Sequence, residues 1–399
     1  MRTNERFDQL GTRPYGRFHN VYPTQVKPEG EFGRMRMKDD AELKLGRVRR
    51  FLKEKGYSGL VLLRQDNFAW ITTGGMNRVV IPSAEGFGAA VITEKEAFLV
   101  AQVMDGQRIM DEELNGLPLT YVPLKWYEES VLERALSLAG DLPAADVPCR
   151  AECPLLEIYE LHFPYTPTEM ARFFEIGAIA DEVLTRVAGA IEPGMLDYEA
   201  EAMLLQEFAR RGVISDVVLV GTDERIFKYR HPNPVGAKLG RYVLLTPAVR
   251  YKGLHCNIAR SVYFGDSVPE EIARRYEAVR QVSANCMALC ETGTSYRDIL
   301  EEHKTILNEF GFADEWRGHY PGGRTGYFLC QAGHSLTPAR RITQTEAFEW
   351  FITVSGAKTA ELTVKDGEKI FVASNTGFWP STSITRHGKT FTIPEIMLR

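Results

Sequence analysis

Two histidines and an arginine, set in glycine- and proline-rich stretches, offer the chemistry in this sequence: His231 in "YRHPNP", His319 in "RGHYPGG" and Arg324 in "PGGRTG". An imidazole with an unperturbed pKa near ~6.5 can take and return a proton at neutral pH. A guanidinium between glycines could grip a substrate carboxylate through two N–H groups, because the bare backbone lets a ligand approach. Each has a plainer role open to it: a hydrogen-bonded structural histidine, an ordinary loop histidine, a surface arginine on a turn. Breaking a C–N bond with water needs an activated water, a proton for the departing nitrogen and stabilisation of the charge that builds between them.

Between these residues runs a predicted strand hairpin, "VLLTPAVRYKGLHCNIARSVYFG", residues 243–265. On its second strand His255 and Asn257 alternate with Gly253 and so share one face. They could line a pocket or pack.

The elements that must position this hairpin follow from pattern. The chain has 399 residues, 44% hydrophobic and 25% charged, with a formal net charge of -5. That is an ordinary globular composition, long enough for two domains and a large core, and its interspersed charges show no footprint for DNA or RNA. No apolar run reaches the ~20 residues of a membrane span, and "MRTNERFDQLGTRPYG" has no signal-peptide core, so a cytoplasmic protein without membrane or nucleic-acid partners is expected. Six cysteines are too few for a disulfide framework. Cys286 and Cys290, one helical turn apart among apolar residues, are expected in a core, and Cys149 and Cys153 as loop thiols, since no second pair at metal-finger spacing follows.

Residues 1–38 lack periodicity and are rich in Arg, Gly and Pro, yet Tyr15, Phe18, Tyr22 and Phe32 favour an arm packed on the body or on a partner subunit over a solvated tail. From Asp39 a helix is predicted, with Leu43, Leu45, Val48, Phe51 and Leu52 as its stripe and Gly56 as its stop. Short apolar runs, "YSGLVLL", "NFAWITTGG", "GAAVIT" and "EAFLVA", then a helix at "YEESVLERALSLAG", describe an α/β domain over 39–165. Three prolines in "CPLLEIYELHFPYTPTEM" mark the boundary near Tyr165. A second domain, 166–399, opens with two amphipathic helices and continues with a strand, the hairpin, a further helix and a strand-rich end.

The order of "TPTEM", "EPGMLDYEAE", "RHPNPV", hairpin, "GFADEWRGHYPGGRTGY" and "GAKTAELTV" resembles the pita-bread fold of creatinase, aminopeptidase P, prolidase and methionine aminopeptidase, over roughly residues 40–390. The resemblance implies an α+β protein of two domains, a creatinase-like amino-terminal α/β domain and a carboxy-terminal pita-bread domain. In the metal-dependent members two hairpin aspartates, a histidine and two glutamates hold two divalent ions, which need hard anionic oxygens. Here the aspartates correspond to Thr246 and, eleven positions on, Asn257; the histidine falls on or beside Gly323, the first glutamate on or near Phe351, and the second on Ala360 or its neighbour Glu361. At most one carboxylate survives, so no metal and no cofactor are expected.

His231 matches the histidine that precedes the hairpin across the superfamily, which in metal-free creatinase is the acid/base. A wider resemblance is to creatinase-like proteins with a GG-x-TGY stretch, here Gly322, Gly323, Thr325, Gly326 and Tyr327. The expected site therefore has His231 and Glu361 as catalytic residues, with Arg324, His319, His255, Asn257 and Thr246 on the substrate. Asn77 and Arg78 follow a glycine turn where creatinase-like dimers reach a neighbouring subunit's pocket; a polar turn is the plainer role. The resemblance implies a homodimer acting on a small molecule: a metal-independent hydrolase of a C–N bond in a small amide, amidine or guanidino compound. The alternatives are a non-catalytic ligand- or peptide-binding protein and an Xaa-Pro aminopeptidase or dipeptidase with an altered metal site.

Overall fold

The computed structural model of the chain describes residues 36–114, 116–329 and 341–399. The expected arm, with Tyr15, Phe18, Tyr22 and Phe32, lies outside the described residues except at its last positions. Helix α1 (Met37–Lys55) carries Asp39 and Asp40 in its first turn and Lys53 and Lys55 in its last, each sign facing the helix-dipole end that favours it. Ala41, Leu45, Val48 and Leu52 are its buried stripe, and Gly56 closes it at φ 76°. Leu43 is exposed, because two residues along a helix is about 200° around it.

Next come β1 (Gly59–Arg64), α2 (Gln65–Ile71), β2 (Glu85–Thr93), β3 (Ala97–Gln102), α3 (Val103–Arg108), β4 (Thr120–Leu124), α4 (Val131–Leu138) and β5 (Pro143–Ala145). The strands form one sheet in the order β4-β3-β2-β1-β5. Alternation along β1 sends Leu60 and Leu62 into the cluster with α1, and Val61 and Leu63 into the cluster with α4, so helices cover both faces. The run "NFAWITTGG", expected among the strands, is instead helix α2 and its exit turn. Phe68, Ala69, Trp70 and Ile71 are all buried, so neither period shows in the sequence.

The second part comprises α5 (Pro167–Ala190), α6 (Asp197–Ala209), β6 (Ile214–Thr222), α7 (Glu224–Lys228), β7 (Tyr242–Tyr251), β8 (Leu254–Asn257), β9 (Arg260–Tyr263), α8 (Glu270–Ala288), α9 (Tyr296–Glu309), β10 (Gly322–Thr325), β11 (Thr345–Val354), β12 (Ala357–Asp366), β13 (Lys369–Val372), β14 (Ser381–Arg386), β15 (Lys389–Pro394) and β16 (Met397–Leu398). One sheet runs β16-β9-β7-β6 with β8 paired to β7, the other β10-β11-β12-β13. They touch through a bridge between Ala259 and Ala360. Helices α5 and α6 pack on the first sheet, and α8 and α9 on the second, where Cys286 and Cys290 are fully buried.

A buried ion cluster joins the two parts. Lys44 of α1 lies 2.9 Å from Asp40 and 2.9 Å from Glu169. Glu169 also closes the capping box at the start of α5, where it accepts from the Thr166 backbone N–H at 2.7 Å.

His303 on α9 is buried, and neither ring nitrogen has a hydrogen-bond partner among the described residues. Burial holds its pKa down at about 4, whereas an unfolded histidine protonates near ~6.5. Its contribution is therefore intact above ~6.5 and is lost as pH falls toward 4, where protons favour the unfolded chain. In His303→Leu the drop in urea midpoint between pH 7 and pH 4.5 should be smaller than in the wild type; an equal drop would show that His303 has no part in acid sensitivity.

Candidate active site

Strands of the two sheets and the loops around them enclose a cavity of about 330 Å³. Its polar wall is His231, Asn233, Thr246, Asn257, His319 and Lys358, and Val217, Leu219 and Phe351 contribute apolar surface. Thr246 comes from β7, Asn257 from β8 and Lys358 from β12, while the two histidines sit on loops.

Those loops are held to each other. Arg225 donates to the Asn233 carbonyl at 2.6 Å, fixing the "RHPNP" turn, and Arg230 pairs with Glu315, just ahead of His319. The result is a contact of 3.0 Å between His231 Nε2 and His319 Nε2. His319 Nδ1 lies 2.6 Å from the Tyr320 carbonyl, which can only accept, so Nδ1 carries the proton. In a neutral imidazole the other nitrogen is then the acceptor, so His231 donates from Nε2 and keeps its lone pair on Nδ1. Burial and then the nearby Lys358 hold His319 down at about 4. The same two causes lower His231 below the usual histidine value, so both rings are neutral at pH 7.

The hairpin places Thr246 and Asn257 together on the cavity wall. Thr246 Oγ1 and Asn257 Oδ1 are buried atoms without a hydrogen-bond partner among the described residues. Lys358 was not anticipated. It is only 3% exposed, and burial followed by repulsion from Arg230 brings its ammonium down to about 8. The available signal was strand alternation in "AKTAELTV", which puts Lys358 on the face of Ala360, opposite Phe351.

Five expected site residues are not in the cavity. Glu361 points to the other face of β12. There Arg260 Nη1 donates to it at 2.5 Å, while Arg260 Nη2 donates to Asp181 at 3.0 Å and to the Ser374 carbonyl at 2.7 Å. Burial raises the Glu361 carboxyl to about 7 against the pull of Arg260 and Ser374. Glu361 is thus part of a buried ion triad rather than the last of a set of metal ligands. Arg324 is equally committed: it donates to Glu346 at 3.0 Å, lies 3.4 Å from Glu160 and stacks 3.7 Å from the Phe163 ring centre, so it has no open fork for a substrate.

His255 shares a face with Asn257 but stands further along it, beyond the cavity. Its Nδ1 lies 3.0 Å from the Gly326 carbonyl and its Nε2 3.3 Å from Asp216. Asn77 is fully buried and holds its own turn, donating to the carbonyls of Leu63 at 3.1 Å and Gly88 at 2.6 Å. Arg78 lines a separate crevice of about 10 Å³ beside Arg250.

This architecture is shared with solved structures. The chain superposes on the prolidase from Thermococcus sibiricus with a TM-score of 0.71 at 14% identity, covering 92% of this chain and 100% of that one. For the Xaa-Pro dipeptidase from Bacillus anthracis the TM-score is 0.66 at 15% identity, with 90% and 100% covered. The X-Pro aminopeptidase from Thermotoga maritima gives 0.69 at 13% identity, with 89% and 99% covered. The fold is therefore the pita-bread fold. Residues 171–367 match the model of metallopeptidase family M24, just under half of the chain, and the fold matches that of the creatinase, aminopeptidase P and prolidase superfamily. It is also similar to methionine aminopeptidase 1 of Saccharomyces cerevisiae, 21% identical over 169 residues, which is 40% of this chain and 43% of that protein. The chain thus spans less than half the length of that relative.

The residues present do not fit the pair of divalent ions that the family implies. Such ions need several anionic oxygens, and the described cavity wall offers Thr246, Asn257 and Phe351 with the Lys358 ammonium beside them, and no Asp or Glu. Among the described residues no three His, Cys, Asp or Glu side chains cluster as a metal site.

Removing the triad's cation would strand two buried carboxylates. Arg260→Met should lower stability by about 3–5 kcal/mol, read from urea unfolding; a variant within ~0.5 kcal/mol of wild type, the usual range of surface substitutions, would show that the triad does not hold the sheets.

Proposed function

We propose that this chain is a hydrolase that breaks a C–N bond in a small amide, amidine or guanidino compound without a metal. The supporting observation is the hydrogen-bonded pair His231–His319 on the cavity wall. The bare Nδ1 of His231 takes a proton from water as the water oxygen adds to the substrate carbon. The positive ring that results keeps its Nε2–H bond to His319 Nε2, so His319 acts as a positioning residue that fixes the tautomer. The unpartnered Thr246 hydroxyl is a donor for the atom on which negative charge builds. When the C–N bond breaks, His231 returns the proton to the departing nitrogen, so the step is balanced and the imidazole is restored.

A reading as a ligand-binding protein without turnover would use the same unpartnered polar atoms, and is told apart by the absence of product. A metal-dependent Xaa-Pro peptidase is disfavoured by the donor set. A homodimer is supported by the loop where Val79, Val80 and Ile81 are 54%, 47% and 56% exposed, an apolar surface suited to burial against a second copy. Among the described residues no helix is long and apolar enough to cross a membrane.

The test is a turnover screen of amides, amidines and guanidino compounds with chelator-treated protein. His231→Asn should reduce kcat by about 10²- to 10⁴-fold with the fold retained by circular dichroism; full activity in this variant, or activity that returns only with added Mn or Co, would overturn the mechanism. The acid limb of kcat/KM should have its midpoint below ~6.5, since the working base is neutral His231 with a lowered pKa. A midpoint at or above ~6.5 would point to another base.

A further inference from the structure

We propose that the cavity takes a small organic acid, its carboxylate paired with the Lys358 ammonium and an adjacent N–H held by Asn257 Oδ1. This rests on the reading of the cavity as the active site and names its substrate class: an amino-acid-sized compound bearing both a carboxylate and the C–N bond to be broken.

Lys358 is the unusual feature of the wall. Its side chain is 3% exposed and lines the cavity, and it has no hydrogen-bond or ion-pair partner among the described residues. A lysine is rarely buried so far without an anion, because an uncompensated charge loses its hydration and gains nothing in return. No acid lies on the described wall. The neighbouring cation, Arg230, is already paired with Glu315. Among the described residues nothing supplies the missing negative charge, and a ligand carboxylate would.

Two further atoms shape that ligand. Asn257 Oδ1 can only accept, and it has no donor, so a ligand N–H fits it. Thr246 Oγ1, also unpartnered, can donate or accept. A single ammonium beside two neutral imidazoles suits one negative charge better than a phosphate, which carries more charge and needs more donors. The volume, about 330 Å³, sits at the small end of ligand pockets (~300–1,000 Å³) and so favours an amino-acid derivative over a peptide.

The test is calorimetric titration of the full chain with N-acetylglycine and other N-acyl amino acids, each against its neutral carboxamide, and with inorganic phosphate. Wild type should prefer each acid over its amide by about 10- to 100-fold, the range of one charge-assisted pairing. In Lys358→Met the ratio should fall to about one, with a melting temperature at or above wild type because an unpaired buried charge has gone. Lys358→Gln provides the same test if the Met variant does not fold. Equal binding of acids and amides by wild type, a preference that survives both substitutions, or phosphate binding more tightly than every acid would each overturn the inference. His231→Asn should keep the preference, so lost turnover with the preference intact counts against the proposed mechanism alone.

Discussion

The guanidinium of Arg260 is the constraint on which the site depends. It lies fully buried between Asp181 of α5 and Glu361 of β12, and it also bonds the Ser374 carbonyl beyond β13 and stacks 5.7 Å from the Trp379 ring. A charge in that position tolerates little displacement, since each lost partner would leave a buried ion unpaired. It thereby fixes which way β12 faces. With Glu361 turned to Arg260, alternation sends Ala360 and Lys358 the other way, and a slip of one residue would exchange those faces. The bridge between Ala259 and Ala360, beside the triad, holds the two sheets at the same point.

The electrostatic character of the cavity follows. In metal-dependent pita-bread enzymes the site is lined by anions that a pair of cations neutralises. Here the sheets present an alcohol, an amide, a phenyl ring and a lysine to the cavity. The described wall therefore carries positive charge only. Burial, and then the same lysine, depress both histidines and keep them as neutral rings joined by a fixed hydrogen bond. The pita-bread scaffold thus carries a cation on the described wall of its cavity.

The GG-x-TGY stretch belongs to the frame of the molecule. A side-chain carbon on Gly322 would lie 1.9 Å from the Glu349 carbonyl oxygen, and one on Gly326 would lie 2.0 Å from the Tyr165 hydroxyl, so both positions need glycine for close packing. Tyr165 donates to the Thr325 carbonyl at 2.5 Å, Arg324 pairs with Glu346 and Glu160, and Tyr327 sits 3.4 Å from Lys44. Through these contacts the stretch ties α1, the segment before α5 and β11 together. A motif of small and charged residues that looks fit for a ligand instead locks two parts of one chain.

What the sequence determined by itself was whatever depends on local order: the amphipathic helices, the strand hairpin, the succession of motifs, and with them the fold. These rest on periodicity and on neighbours close along the chain. Tertiary structure decided which charged residues face solvent, a partner or the cavity. Arg324, His255, Asn77 and Glu361 are polar residues in motif-like settings, and nothing local distinguishes a side chain reserved for substrate from one already satisfied by Glu346, Asp216, a carbonyl or Arg260. Lys358 shows the converse. In sequence it is one lysine in an alternating strand, and only the packing of two sheets around it removes its water and leaves an ammonium on the cavity wall without a counter-charge among the described residues.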